Sequence, residues 1–159
     1  MNIIVDINRI SINNVFFLDT KRNIIMDGIF TKLVYSNEWF TMNGLYVLFP
    51  IEVLSIEKNI NKYTLKLNPY QSTNYPYLQE FAKLEYRIIE YYKNINQCNR
   101  KISNLLSSQI HSGSMKLYRD SNYENNKKKQ YIIKISGIWE TQEEVGITYK
   151  LIEANEDYI

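Results

Sequence analysis

Apolar and polar residues alternate over two segments near the C-terminal end of the chain. One face of the first segment carries Tyr131, Ile133, Ile135, Gly137 and Trp139, and one face of the second carries Val145, Ile147, Tyr149 and Leu151. Alternation with a period of two residues indicates half-buried strands. The polar residues 140–144 between the two segments have a length that suits a hairpin. We therefore predict a β-hairpin over residues 130–152.

Short apolar or alternating runs predict further strands upstream. These runs cover residues 14–19, 25–35, 45–54, 62–67 and 115–118. The polar residues 20–23 are predicted to form a turn after the first run. Pro50 lacks a backbone N–H, so the strand that contains it is expected to lie at an edge or to end there.

A helical period is found only in the middle of the chain, over residues 77–110. Its apolar residues recur in steps of three and four, at Tyr77, Phe81, Leu84, Ile88, Tyr91, Ile95, Cys98, Ile102 and Leu105. Asn94, Asn96 and Asn99 are weak helix formers, so we expect a break or a kink in this region. Gly113 is suited to a left-handed cap at the end. Packing of the apolar stripe against a sheet is the favoured interpretation, and contact with a partner helix is the alternative.

The order of these elements predicts one α+β domain over residues 1–159. Several strands, then one long or kinked helix, then more strands is the order found in the OB fold, a mainly antiparallel barrel. The predicted barrel strands are 25–35, 45–54, 62–67, 131–139 and 145–152. A short acidic C-terminal tail, residues 153–159, follows the last strand.

Charge is distributed unevenly along the chain, although the net charge is only +2. Residues 71–139 carry 11 basic and 5 acidic side chains, whereas residues 140–159 carry 1 basic and 6 acidic ones. A basic middle and an acidic end are consistent with anion binding and a competing tail, and chance clustering on solvated faces is the alternative. No apolar run approaches the roughly 18–20 residues that span a bilayer, so no membrane partner is predicted. The single Cys98 predicts an intracellular, reducing compartment.

Catalytic and metal-binding patterns are not evident. The one histidine, His111, lies in a Ser/Gly-rich segment, and Cys98 lies on the apolar stripe, where a cysteine behaves as a small hydrophobe. One Cys and one His cannot supply the four ligands of a typical zinc site. Phosphate-binding glycine motifs are missing as well. We therefore predict a non-enzymatic protein without cofactor or metal.

Aromatic and basic residues suggest a binding role instead. Proteins that hold single-stranded nucleic acid combine a basic groove with rings on which bases stack. Tyr35, Trp39 and Phe40 lie in or beside a predicted loop, and Lys127, Lys128 and Lys129 are consecutive in another. These residues are predicted to stack on bases and to contact phosphates. In the alternative interpretation, Trp39 and Phe40 close one end of a barrel and the three lysines belong to a solvated loop.

Two segments, YSNEWFTMNGLYVLFP and IIKISGIWETQEEVGITYKLIE, resemble paired segments of OB-type single-stranded DNA-binding proteins of large double-stranded DNA viruses. The resemblance covers about a quarter of the chain. It implies roles in DNA binding for Trp39, Phe40, Trp139, Tyr149 and Lys150. It also implies that the acidic end, with Glu153, Glu156, Asp157 and Tyr158, competes with DNA and recruits replication partners, although this chain ends in Ile159 rather than an aromatic residue.

Two functions follow as hypotheses. The first is a non-enzymatic viral protein that binds single-stranded DNA and is located in the host cytoplasm or nucleus. The second is a viral structural or assembly protein that contacts other proteins through the helix stripe, the acidic tail or a strand edge. Homo-oligomerisation is compatible with either hypothesis.

Overall fold

The computed structural model describes residues 3–23, 27–119 and 128–155, which form ten strands and two helices. The strands are β1 (Val15–Asn23), β2 (Gly28–Ser36), β3 (Thr41–Met42), β4 (Leu45–Leu48), β5 (Val53–Asn59), β6 (Lys62–Leu67), β7 (Lys101–Ile102), β8 (Ser114–Arg119), β9 (Lys129–Glu140) and β10 (Glu144–Asn155). The helices are α1 (Tyr75–Asn96) and α2 (Leu105–Ser112), and two 3-10 turns, Ile7–Arg9 and Ile12–Asn14, precede β1. None of the described helices has the length and apolar character needed to cross a bilayer.

All ten strands belong to one sheet, in the order β1-β2-β9-β10-β8-β6-β5. The short strands β3, β4 and β7 pair with β2, β9 and β10, respectively. Pairing is antiparallel except where β7 and β8 run parallel to β10. The mainly antiparallel α+β class is therefore confirmed. The path begins at β1 and ends at β5, so the sheet formed by the described strands is open, and closure into a barrel is not confirmed.

The predicted strand 45–54 is divided at Pro50, and this division changes the topology. Its first part is β4, which pairs with β9, and its second part begins β5, which pairs with β6 at the far edge. Proline cannot donate to a ladder, which is why the strand stops there. The turn predicted at residues 20–23 is wrong, because this segment continues β1 and pairs with the start of β2.

The predicted helix 77–110 is two helices, as the asparagine-rich break suggested. Helix α1 is capped by Gln97, which adopts a left-handed conformation with φ 50°, and α2 is capped by Gly113, with φ 75°, as predicted. Between the helices the chain runs beside β10 as β7. Both helices pack on one face of the sheet, where the ring of Phe81 meets that of Phe49 edge-on at 5.1 Å between centroids. Phe81, Leu84 and Ile88 of the apolar stripe are buried in this core, in line with packing against a sheet, whereas Ile95 is 55% exposed.

A bulge in β9 changes the face on which Trp139 lies. In the hairpin, Tyr149 pairs with Ile135 but Thr148 pairs with Gly137, so Ser136 is an extra residue in β9. The extra residue shifts the alternation by one position. Ile138 therefore takes the inward position, where it is fully buried, and Trp139 lies on the face away from the helices. The predicted hairpin is correct, but Trp139 does not share a face with Ile135.

Candidate functional site

The predicted aromatic residues of the loop after β2 differ greatly in exposure. Tyr35 is 2% exposed and its hydroxyl accepts a hydrogen bond from the Ser11 N–H, so its ring cannot stack on a base. Phe40 is half-buried beside Tyr35. Trp39 is 82% exposed. The Asn37 side chain accepts hydrogen bonds from the backbone N–H groups of Trp39 and Phe40, at 2.8 and 3.0 Å, and so holds the loop that presents Trp39.

The three consecutive lysines do not form one exposed cluster among the described residues. Lys127 lies outside the described residues. Lys128 is exposed just before β9. Lys129 is the first residue of β9, and its ammonium group donates to the side chain of Asn155 in the paired strand. At least one of these lysines is thus engaged with the protein itself.

Tyr149 faces the helices rather than the solvent. It pairs with Ile135 on the inward face of the hairpin, and its hydroxyl oxygen is buried without a hydrogen-bond partner among the described residues. Burial, followed by the negative charge of Glu85, raises the pKa of Tyr149. The nearby Glu85 is itself buried and accepts the N–H groups of Leu106 and Ser107 at the start of α2. Tyr149 is therefore half-buried against the core on the inward face, and part of it also lines a small cavity beside β10.

Lys150 and Trp139, by contrast, lie on the face of the sheet that no described helix covers. Neighbouring strands add further lysines and aromatic rings to this side. We call the set the basic face; it comprises Tyr46 (β4), Lys116 and Tyr118 (β8), Lys134 and Trp139 (β9) and Lys150 (β10). Strand register brings these residues together: Lys134 pairs with both Tyr46 and Lys150, and Tyr118 pairs with Ile152, two residues beyond Lys150.

Ammonium groups lie close to aromatic rings across the basic face. The Nζ of Lys134 is 5.4 Å from the centroid of the Tyr46 ring. The Nζ atoms of Lys116 and Lys150 are 4.7 and 4.9 Å from the centroid of Tyr118, so two cations share one ring. Such contacts contribute roughly 0.5–1 kcal/mol each at exposed sites. They hold the lysine side chains near the sheet, where their charges accumulate.

Three lysines of the basic face, Lys116, Lys134 and Lys150, lack an ion-pair partner among the residues that the structure describes. Lys134 and Lys150 are directly opposite each other, and like charges in this position destabilise a sheet by roughly 0.2–1 kcal/mol. Lys32 extends the same side, opposite Gly137. An arrangement that costs stability and concentrates positive charge is suited to binding an anion.

Sequence reasoning found Trp139 and Lys150 but missed Tyr46, Lys116, Tyr118 and Lys134. Tyr46 is only 9% exposed and lies in β4, where burial does not alternate, but the outward positions of Lys116, Tyr118 and Lys134 in alternating strands could have been predicted. Their proximity could not, because it depends on which strands pair and in which register.

A second group of polar residues surrounds Glu140 at the hairpin end of β9. Its carboxylate accepts hydrogen bonds from the Tyr92 hydroxyl at 2.9 Å, the Cys98 thiol at 3.2 Å and Arg100 Nε at 3.3 Å. Burial acts to raise the pKa of Glu140, but the hydrogen bonds from Cys98, Tyr92 and Arg100 outweigh it and lower the pKa. Burial also raises the pKa of the Cys98 thiol, which keeps it protonated.

The Glu140 group lines a polar cleft of about 540 Å³ and ties the end of α1 to the hairpin. Its carboxylate is already occupied by three donors from the protein. Arg100 also donates to the Gln142 carbonyl oxygen in the hairpin connection. We therefore interpret this group as structural. Within this group, the positive charge of Arg100 balances the negative charge of Glu140, one of the acidic residues near the hairpin tip.

Other chemistry-bearing residues are dispersed. His111 lies on α2, where its Nδ1 is 2.7 Å from the Ser107 carbonyl oxygen. Within the described ranges, no three His, Cys, Asp or Glu residues are grouped so that they could hold a metal ion. Glu153, predicted to begin an acidic tail, is instead buried in β10 and forms an ion pair with Arg119 at 2.9 Å. Residues 156–159 lie outside the described part.

Comparison of the chain with protein-family models, curated proteins and solved structures finds no match. The interpretation of the basic face therefore rests on its geometry and charge.

Proposed function

We propose that the protein binds single-stranded nucleic acid on the basic face, without catalysis. The observation that carries the proposal is the grouping of Lys116, Lys134 and Lys150 around aromatic rings, with no carboxylate of the described residues paired to them. Lysines of this kind contact phosphates and position a strand. The ring of Tyr118, which is 37% exposed, supplies a stacking surface for an unpaired base, which a duplex keeps inside its own stack. The combination favours a single strand over a duplex.

Trp39 offers a further stacking surface. It is exposed on a loop whose conformation is held by Asn37, so little ordering is needed when a ring stacks on it. Tyr35 is not included in the proposed interface because it is buried in the core, and Tyr149 is not included because it is half-buried against the core on the inward face. Phe40 is half-buried and is assigned to the support of the Trp39 loop.

The resemblance of the two sequence segments is the basis for three further parts of the proposal. These are single-stranded DNA as the ligand, a relationship to OB-type proteins and a viral role in replication. The basic face is compatible with DNA and with RNA, and the resemblance favours DNA. An intracellular, reducing compartment and recruitment of a partner by the acidic residues after β10 remain part of the proposal.

Titration of a fluorescently labelled strand of about 12 nucleotides, within the usual site size, tests the proposal. Each phosphate contact contributes roughly 0.7 to the slope of log affinity against log salt for single strands. Three lysines should therefore give a slope of about −2, so affinity should fall about 20-fold between 50 and 200 mM salt. Absence of binding at 50 mM salt would contradict the proposal.

A charge-matched control separates a site from general electrostatic attraction. The variant K116Q/K134Q/K150Q should lose most of the affinity and of the salt dependence. The control K83Q/R87Q/K93Q removes the same charge from α1, which lies on the other side of the sheet. If both variants weaken binding equally, attraction is non-specific and the basic face is not the site.

A second candidate function is assembly with other protein chains, and the exposed edge strand β1 favours it. Phe16 and Leu18 are about half exposed there, and β1 pairs only with β2 among the described strands. Unpaired strand edges are templates for pairing with another chain. Light scattering distinguishes this candidate: a mass above 19.0 kDa that falls to that value in F16K/L18K would support it.

A further inference from the structure

A gap in the sheet opens beside the basic face, along one edge of β10. On this edge, β7 pairs with Glu144 and Val145, and β8 pairs with residues 151–153. Residues 146–150 therefore have no strand partner on that side in the described part of the chain. A cavity of about 270 Å³ occupies the gap, which we call the notch. The side chains that line it include Leu105, Gln109, Lys116, Tyr118, Trp139 and Lys150.

The walls of the notch combine aromatic, apolar and polar groups. Trp139 crosses β10 over Gly146, and its indole N–H donates to the Ile147 carbonyl oxygen at 3.1 Å, which fixes the ring at one end of the notch. Tyr118 also lines the notch, with the Nζ atoms of Lys116 and Lys150 at 4.7 and 4.9 Å from its ring centroid. Leu105 contributes apolar surface from the first turn of α2.

Gln109 adds a hydrogen-bonding group to this setting. Its side-chain amide makes no hydrogen bond with the other described residues and lines the notch from α2. An amide can donate and accept at once, which matches the mixed donor and acceptor edge of a nucleobase. A simple anion would instead require several donors and no apolar wall.

We infer that the notch receives one unstacked base of the bound strand, an inference that rests on the proposed function of the basic face. The base contacts Tyr118 and Trp139, its edge meets the amide of Gln109, and Lys116 and Lys150 contact the adjacent phosphates. The cavity is smaller than the roughly 300–1,000 Å³ of pockets for drug-sized ligands, so it fits one ring system. Because a paired base would first have to leave its stack, the notch selects single strands over duplexes.

Comparison of an intact strand with a fully abasic strand of the same length tests the inference, since both carry the same phosphates. Stacking of a single base corresponds to about a 5- to 150-fold difference in affinity. We expect the intact strand to bind at least about 5-fold more tightly than the abasic strand. We expect L105W, which fills the notch from a residue that is 41% exposed, to bring the intact strand close to the affinity of the abasic one.

A second variant and a control make the test specific. Q109A keeps the notch open but removes the amide, and it should weaken intact-strand binding without changing abasic-strand binding. L54W places the same large ring on β5, where Leu54 is 66% exposed, and it should change the affinity for neither the intact nor the abasic strand.

The outcomes also separate this inference from the proposed function. Equal binding of intact and abasic strands, with retained salt dependence, would overturn the notch and leave phosphate binding by the basic face in place. If both L105W and Q109A bind the intact strand with wild-type affinity, the notch is likewise overturned and phosphate binding by the basic face remains. If neither strand binds at 50 mM salt, the proposed function itself fails.

Discussion

Substitution of Gly146 by alanine tests the packing that shapes both the basic face and the notch. A Cβ atom at this position would lie 2.6 Å from Cζ2 and 2.8 Å from Cε2 of Trp139. These atoms belong to a rigid ring whose Nε1–H donates to the Ile147 carbonyl oxygen. Gly146 does not have a positive φ, so alanine introduces no backbone strain of its own. The whole effect of G146A should therefore come from displacement of the indole.

The magnitude follows from three contributions. Overpacking costs roughly 1–3 kcal/mol, and loss of the indole hydrogen bond costs roughly 0.5–1.5 kcal/mol. Replacement of glycine by alanine in a strand recovers roughly 0.5–1 kcal/mol. We expect G146A to lower the free energy of unfolding by about 2 kcal/mol. In a W139L background the obstructing ring is absent, so G146A should be neutral or stabilising by up to about 1 kcal/mol.

Urea denaturation followed by far-ultraviolet circular dichroism measures this coupling without relying on tryptophan fluorescence. The wild type, G146A, W139L and the double variant form a double-mutant cycle. W39L serves as a control background, because it removes the other tryptophan, whose side chain is 82% exposed. If the cost of G146A is the same in the W139L and W39L backgrounds within about 0.5 kcal/mol, Trp139 does not cover Gly146 and the reasoning is refuted.

Three further predictions concern stability alone. R119M leaves the carboxylate of Glu153 buried and unpaired, so it should destabilise the protein by about 3–5 kcal/mol in urea denaturation, whereas K83M at an exposed ion pair should cost under about 1 kcal/mol. Burial raises the pKa of Glu85 above its usual 4.5, so its contribution to stability is fully present below that pH and is lost as pH rises through the raised pKa. E85Q should make the unfolding free energy less dependent on pH above 4.5, and an unchanged pH profile would contradict the assigned burial. Gln97 has a left-handed conformation that costs a non-glycine residue roughly 1 kcal/mol, so Q97G should raise the melting temperature, and a decrease would be inconsistent with the cap.

Local features of the fold were predictable because they depend on residues close together in the sequence. The strand at residues 62–67 matches β6, and the asparagine-rich break separates α1 from α2. The cap at Gly113 was likewise evident, since it needs only a glycine after the last helical turn. Each of these features follows from periodicity or backbone preference, which tertiary contacts do not override here.

The failures share a different cause, which is pairing between distant segments. The polar residues 20–23 extend β1 because β2 supplies a partner strand, although their composition favours a turn. The order of the elements predicted an OB-like barrel, which is not confirmed, and Pro50 divides one predicted strand between two positions in the sheet. The end of a strand at Pro50 was predicted from the local sequence, but the different partner strands before and after it are not encoded there, and neither is the extension of β1.

For the candidate site as well, local features were predictable from the sequence and pairing between distant strands was not. By itself the sequence determined that lysines and aromatic rings alternate with apolar residues along several strands, and that Lys150 has an outward position. Only the tertiary structure decided that Lys134 lies opposite Lys150, that the extra residue at Ser136 turns Trp139 to the basic face, and that the hydroxyl of Tyr149 is buried. The physical reason is that side-chain direction repeats every two residues and is local, whereas register is set by the partner strand, where a shift of one residue reverses every face.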